Sequence, residues 1–302
     1  MQRVKIALPA VVTRLAPALT GLGLAFSLRM NIEITERADE AWIVETDGEG
    51  AGRYGLGLRH PVTRGMIRVF QRVERAPMGV TIRVNNPIPY GADLGVDSLF
   101  IVAGVIGANN MIGTPLKRPE VVALAANASG RADQVVTGMF GGLTTSLPLD
   151  PAESTPLYRN LPIGALKAVL VLPQTDAAEN DDPPTTKTAA RVPLDDALYH
   201  LARVPLFLDA LKAGDLPLLA RLMDDKLTTT KLPRGYDRAL AAARGMEAAI
   251  TLTGSAILAF TTGDGRALAD AMQAAFNGVG VIARWWALTV DTQGVVVSVV
   301  GS

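Results

Sequence analysis

The stretch Asn86-Pro87-Ile88-Pro89-Tyr90-Gly91-Ala92-Asp93-Leu94-Gly95-Val96-Asp97-Ser98-Leu99 stands between two segments of different character. Before it, Gly79-Val80-Thr81-Ile82-Arg83-Val84 alternates as a strand does, and Asn85-Asn86-Pro87 is a turn signal. After it, Asp97 to Met111 is apolar enough for a buried helix. Strand, glycine-bearing loop and helix start, in that order, present backbone N–H groups and the positive end of a helix dipole to an anion. Many plain helix caps share that arrangement, so the loop alone defines no function.

Upstream, Val4 to Leu8, Ile32 to Thr35 and Ala41 to Thr46 are strand candidates, and Pro61 to Val73 has helical spacing through Val62, Met66, Val69 and Phe70. Downstream, Pro119 to Ala128 predicts a helix and Ala165 to Leu172 a strand. A surface loop crowded with Pro, Asp and Thr is expected over Gln174 to Lys187. Helices are predicted over Leu194 to Ala213, Leu216 to Asp225, Tyr236 to Glu247 and Arg266 to Phe276. Ala248 to Thr261 reads as two short strands around Gly254. Trp285 to Val290 and Val295 to Val300 read as a hairpin closed by Asp291-Thr292-Gln293-Gly294. Helices on an antiparallel sheet give an α+β class.

The chain has 302 residues, 49% of them hydrophobic, enough for one large domain or two ordinary ones. Lys plus Arg and Asp plus Glu both number 29, so no basic balance calls for nucleic acid. The absence of cysteine excludes disulfides, thiolate metal sites and cysteine nucleophiles, and is compatible with a cytoplasmic protein. No apolar run approaches the roughly 18 residues of a membrane helix. Arg14 interrupts the N-terminal apolar stretch, which reads as strand, loop and strand rather than a signal peptide.

The surroundings of the loop give it meaning. Its Asn-x-Ile-Pro start and glycine turn resemble the signature of the GHMP small-molecule kinases, in which Gly-Leu-Gly-Ser-Ser-Ala-Ala forms the phosphate loop. Val102-Ala103-Gly104-Val105-Ile106-Gly107-Ala108-Asn109-Asn110 is similar to the following helix of homoserine kinases. Ser129-Gly130-Arg131-Ala132-Asp133-Gln134-Val135, followed by Gly141-Gly142-Leu143, resembles the family's Glu-Gly-His-Pro-Asp-Asn-Val and Gly-Gly-Leu. Pro9-Ala10, Leu15-Ala16-Pro17-Ala18 and Gly21-Leu22-Gly23-Leu24-Ala25 match its first motif. Lys187-Thr188-Ala189-Ala190-Arg191 resembles a Thr-x-x-Ala-Arg element, and Asp225-Lys226-Leu227 a stretch of type Asp-x-Leu-His. Ile250-Thr251-Leu252-Thr253-Gly254-Ser255-Ala256 stands where Ile-Ser-Gly-x-Gly-Pro-Thr is expected. The resemblance runs in order over nearly the whole chain. It implies a two-domain fold: a ribosomal S5-like α/β domain over residues 1–155 and a ferredoxin-like α+β domain over 156–302.

It also implies an ATP-dependent kinase that uses magnesium and phosphorylates a hydroxyl of a small molecule, homoserine in the family. A homodimer is compatible with it. The phosphate site would comprise Pro89, Leu94, Gly95, Val96, Asp97 and Ser98. Asp133 would be the catalytic acceptor of the substrate proton, and Arg14, Thr20, Asp133, Arg191 and Lys231 would contact substrate. Several of these positions depart from the family. Arg14 replaces an Asn, Thr20 the Asp that holds the substrate amino group, Asp93 the first Gly, and Val96 and Asp97 the two serines. Ser129 replaces the magnesium-binding Glu, and Arg131 a His. Two unit charges of like sign about 4 Å apart repel by roughly 4 kcal/mol at an effective dielectric near 20, which disfavours a phosphate beside Asp93 and Asp97 unless a cation intervenes. One cation is implied: carboxylate and hydroxyl have exchanged places, so Asp97 and Ser129 become the metal ligands. The alternative is that Asp97 only caps the helix. For the whole chain, the alternative is a non-catalytic homologue of the same fold that binds a metabolite or partner. His60 lies near the family's adenine-side Asn, but a structural histidine is the simpler reading.

Overall fold

The computed structural model describes residues 2–148, 155–174, 185–188, 191–263 and 265–300. The chain begins with β1 (Arg3–Val12), β2 (Leu22–Arg37) and β3 (Trp42–Gly48), followed by α1 (Pro61–Val73) and β4 (Gly79–Asn86). Three helices come next: α2 (Val96–Met111), α3 (Arg118–Ser129) and α4 (Ala132–Phe140). After them run β5 (Leu143–Ser146), β6 (Tyr158–Leu161), β7 (Lys167–Pro173) and β8 (Thr185–Thr188). The rest is α5 (Leu194–Ala213), α6 (Leu216–Leu222), β9 (Thr228–Lys231), α7 (Tyr236–Gly245), β10 (Ala249–Thr253), β11 (Ala256–Thr261), α8 (Arg266–Asn277), β12 (Ala283–Thr289) and β13 (Val296–Val300).

The first sheet has the order β13-β1-β2-β4-β3, with β5 on β2 and β6 on β5. Alternate residues of β1 and β2 (Val4, Ile6, Leu8, Met30, Ile32, Ile34) are buried, as one packed sheet face requires. That face lies under α2, which is buried almost all round. Gly104 of α2 meets α1 so closely that a Cβ there would sit 1.9 Å from the Val62 carbonyl oxygen. The second sheet has the order β10-β11-β7-β12. Its Val169, Val171, Ile257 and Ala259 pack with Tyr236, Met272 and Phe276 of α7 and α8. Its Leu170, Leu258 and Phe260 face the other way, into a core shared with α5, α6 and the first sheet. Both faces of this sheet are therefore covered, one by helices and one by the rest of the molecule. The α+β class and its two-sheet division hold.

Three expectations change. The predicted hairpin between Trp285 and Val300 does not form: β12 pairs β7 in the second sheet, and β13 pairs β1 in the first. The turn signal itself is real, because the Asp291 carboxylate accepts the N–H groups of Gln293 and Gly294 at 3.0 and 3.1 Å. Asp291 is buried and bound by Arg29 of β2 at 2.7 and 2.8 Å, which turns the chain from one sheet to the other. Second, β6 and β13 join the first sheet, so that sheet draws on residues beyond 155. Third, the loop expected over Gln174 to Lys187 lies largely outside the described residues, and its end, Thr185–Thr188, is a strand paired with β9.

Candidate active site

The glycine loop keeps its shape by alternating backbone hands. Gly91, Asp93 and Gly95 all have positive φ, at 88°, 48° and 77°. Aspartate is one of the few non-glycine residues that enters the left-handed region without large strain. Asp93 thus replaces a glycine in sequence while holding a glycine's conformation. The loop is fixed by its carbonyls: Leu94 O accepts from Val11 N–H at 3.1 Å, and Gly91 O from Ser255 N–H at 2.7 Å. The Thr253 hydroxyl donates to Ala92 O at 2.9 Å. Gly254, with φ 53°, lets the turn between β10 and β11 come this near. The Tyr90 N–H of the loop goes to Glu49 Oε2 at 3.2 Å, while the first N–H groups of α2 have no partner within the helix.

α2 starts at Val96, and its N-cap is Gly95. Asp97 therefore lies in the first turn and is not the cap. There its charge suits the helix dipole. Its carboxylate is exposed and lies near the Tyr54 phenol. Burial first, then the neighbouring Asp97 carboxylate, pushes the Tyr54 hydroxyl well above its ordinary pKa, so it keeps its proton. Tyr54 packs edge-on against Phe100 of α2, with ring centres 5.0 Å apart. Ser98 is buried and donates to Gln134 of α4 at 2.6 Å, locking the two helices together. Pro89 and Leu94 are buried in the loop wall.

The acidic residues do not stand alone. Arg131, the N-cap residue of α4, binds Asp133 through Nε and Nη2, both at 3.1 Å, and donates from Nη2 to Thr13 at 2.8 Å. Asp93 keeps solvent access. Even so, the protein packed around it raises its carboxyl pKa, against the pull of Arg131 and Arg14 and with the push of Asp133 and Asp97. Residues 14, 93 and 131 thus act on one another: Arg131 and Arg14 favour the charged form of Asp93, and burial, with Asp133 and Asp97, opposes it and prevails.

Thr20, Arg131 and Asp133 come together in a polar pocket of about 270 Å³, with Asn127 and Ser146 also in its wall. Arg191, just before α5, and Lys231, at the end of β9, are exposed and are not among its lining residues. The Ser129 hydroxyl, at the end of α3, donates to Ala126 O and accepts from Arg131 N–H at 3.1 Å. Among the described residues no three His, Cys, Asp or Glu side chains converge as a metal site. The Ser129 hydroxyl is already engaged within the protein. Tyr54 was not legible beforehand, because it lies far along the chain from Asp97 and Phe100; Arg131, two residues from Asp133, was read as a departure from the family pattern and not as its ion-pair partner.

His60 is structural. It caps α1, its Nδ1 accepting the Val62 N–H at 3.2 Å, and its Nε2 lies 3.4 Å from the Thr46 hydroxyl. Burial lowers its pKa to about 4. The unfolded chain takes this proton first as pH falls, so the stabilisation is complete above pH ~6.5 and is lost as pH falls toward ~4. The effect is on the order of 2 kcal/mol across that window. His60→Asn, which keeps a capping acceptor, should flatten the slope: the gap between the two melting temperatures is expected to shift in the variant's favour from pH ~7 to ~4.5. A constant gap would contradict this.

Residues 62–142 match the GHMP kinases N terminal domain. The class defined by fold and site is that of the GHMP kinases. Over 282 residues the chain is 33% identical to a homoserine kinase of Moorella thermoacetica, covering 91% of this chain and 93% of that one. The chain belongs to the homoserine kinase family of the GHMP kinases. The homoserine kinase structure from Cytophaga hutchinsonii has the same fold, with a TM-score of 0.82 at 21% identity over 98% and 97% of the two chains. A structure of MDDEF in complex with MVAPP, AMPPCP and magnesium shares the fold at a TM-score of 0.67 and 15% identity, over 99% of each chain. No helix among the described residues is long and apolar enough to cross a membrane.

Proposed function

We propose that this GHMP kinase transfers the γ-phosphoryl group of ATP to a hydroxyl of a small molecule bound in the pocket beside α4. The observation that carries this is the adjacency of two sites. The free N–H end of α2 and the Thr20–Arg131–Asp133 pocket share one charged group, in which Asp93 is coupled to Arg131. Leu94, Gly95, Val96, Asp97 and Ser98 are assigned to the nucleotide phosphates, through backbone N–H groups and the helix dipole, and Pro89, which has no N–H, to the wall beside the nucleotide. Asp97, supported by Ser129, is assigned to magnesium. ATP, when bound, supplies the γ-phosphorus that bonds to the acceptor oxygen as its bond to the bridging oxygen breaks and ADP leaves. The chain's own work is positioning and charge neutralisation. Arg131 holds the Asp133 carboxylate, and Asp133 Oδ2 accepts the acceptor's hydroxyl proton. Arg14 and Thr20 border the acceptor, and Arg191 and Lys231 approach it from the second half of the chain.

Asp97→Ala is expected to lower kcat/KM by at least a hundredfold, a loss of about 2.7 kcal/mol in transition-state binding. Its melting temperature should stay near that of the parent, because Asp97 is exposed and is not the helix cap. Phosphorus NMR of ATP consumed against a panel of small alcohols and hydroxy acids reads the transfer. Nucleotide binding without transfer to any acceptor would favour the non-catalytic alternative.

A further inference from the structure

His200 of α5 is a buried titratable side chain that the phosphoryl transfer leaves unused. Both of its ring nitrogens are engaged. Nε2 accepts the Lys226 N–H at 3.0 Å, so it carries no proton. Nδ1 therefore holds the proton and donates to Pro17 O at 2.9 Å. The two bonds reach opposite halves of the chain. Pro17 is the middle of the loop between β1 and β2, midway between Arg14 and Thr20. The ends of that loop are held from within the first half. Arg131 Nη2 donates to the Thr13 hydroxyl at 2.8 Å, and the Ser146 N–H donates to Gly21 O at 2.8 Å. The middle is held by His200 from the second half. Leu15, Ala16, Pro17 and Ala18 are buried there, while Arg14 and Thr20 stay exposed on either side. Beyond Nε2, the turn Asp224-Asp225-Lys226 leads into β9 and Lys231. That turn is tied to α5 a second time, by the Tyr199 hydroxyl donating to Asp224 at 2.7 Å. Loss of the Lys226 bond thus leaves a tether in place, whereas loss of the Pro17 bond frees the middle of the loop that carries Arg14 and Thr20.

We infer that His200 is a positioning residue for the acceptor: through Pro17 O it sets the loop of Arg14 and Thr20 against the second half of the chain. The acceptor's part in this rests on the phosphotransferase reading, while the loop's attachment rests on the hydrogen bonds alone. Two substitutions separate the arms. His200→Asn sets an amide N–H where Nδ1 stands and loses the acceptor for Lys226; His200→Gln sets an amide oxygen where Nε2 stands and loses the donor to Pro17. The experiment joins deuterium exchange of the intact proteins with steady-state kinetics, using ATP and L-homoserine as probes. In His200→Gln the amides of residues 13–21 should exchange about tenfold faster or more. The KM for L-homoserine should rise about tenfold or more, with the KM for ATP within about twofold of the parent. His200→Asn should hold loop exchange and acceptor KM within about threefold, although it too loses a buried hydrogen bond and melts lower. A purely structural histidine would make the acceptor KM follow the melting temperature and not the arm. Unchanged loop exchange in His200→Gln, an equal rise in the KM for ATP, or the same acceptor KM in both variants would each overturn the inference. If His200→Gln fails to fold, His200→Asn decides alone: loop exchange or acceptor KM raised about tenfold overturns the inference, and values within about threefold uphold it. A parent that transfers no phosphate to L-homoserine would count against the kinase reading, and loop exchange in the two variants would still decide the attachment.

Discussion

Gly104→Val should unfold the protein roughly 5 °C below the parent. A Cβ at residue 104 would lie 1.9 Å from Val62 O and 2.9 Å from Met66 N, both backbone atoms of α1. The contact is reciprocal: a Cβ at Gly65 would lie 2.4 Å from Ile101 O. No side-chain rotation relieves a clash between a Cβ and backbone. The two helices must separate, and the layer under the first sheet must separate with them. Overpacking of this kind costs about 3 kcal/mol or somewhat more. For a chain of 302 residues each kcal/mol lowers the melting temperature by roughly 1.5–2 °C. Circular dichroism melting of the variant reads this directly, and a loss below about 2 °C would mean that the helices are not packed backbone to backbone.

Gly254→Val is expected to damage the site as well as the fold. Gly254 has φ 53°, where a β-branched side chain is strongly disfavoured. Its Cβ would lie 2.3 Å from Gly91 O and 2.8 Å from Asp93 N. Those atoms belong to the glycine loop, so the new side chain pushes on the backbone that presents its N–H groups to phosphate. The Ser255 N–H bond to Gly91 O and the Thr253 hydroxyl bond to Ala92 O would be lost together. A stability loss of about 2–3 kcal/mol is expected from the left-handed backbone and the overlap. Nucleotide affinity should fall more than a hundredfold, beyond what the stability loss explains in a protein still folded at the assay temperature. Fluorescence titration with a labelled ATP analogue, beside a melt of the same sample, separates the two effects. Unchanged affinity would place the phosphates elsewhere.

The parts read well from sequence are those whose signals are local. The helical spacing over Pro61 to Val73 and the span Leu194 to Ala213 match α1 and α5 at both ends. The strands around Gly254 and the helix after the glycine loop differ by one residue at most. What was missed is decided at a distance. The Asp291 turn looked like a hairpin because its local chemistry is a turn, but its strands choose partners in different sheets, and Arg29 holds the crossing. α4 went unread because it is nine residues long and starts two residues after the glycine that ends α3. β5 and β6 are four residues each and carry no clear alternation. In the site, Arg14, Asp93 and Arg131 appeared as three unrelated departures from a family pattern. Only the fold brings them within reach of one another, where each acts on the others' charge. Tyr54 sits in a glycine-rich connection with no motif, and its place follows from edge-on packing against Phe100 beside the Asp97 carboxylate.

The claim beneath all of this is that nucleotide phosphate binds where the glycine loop runs into α2, with acidic residues made tolerable by arginines and magnesium. Isothermal titration of ATP into the folded protein, with and without magnesium, measures it most directly. The account predicts saturable one-to-one binding that needs magnesium and is weakened by Asp97→Ala. Absence of any heat at millimolar nucleotide, with magnesium present and the protein's melting temperature unmoved, would contradict it.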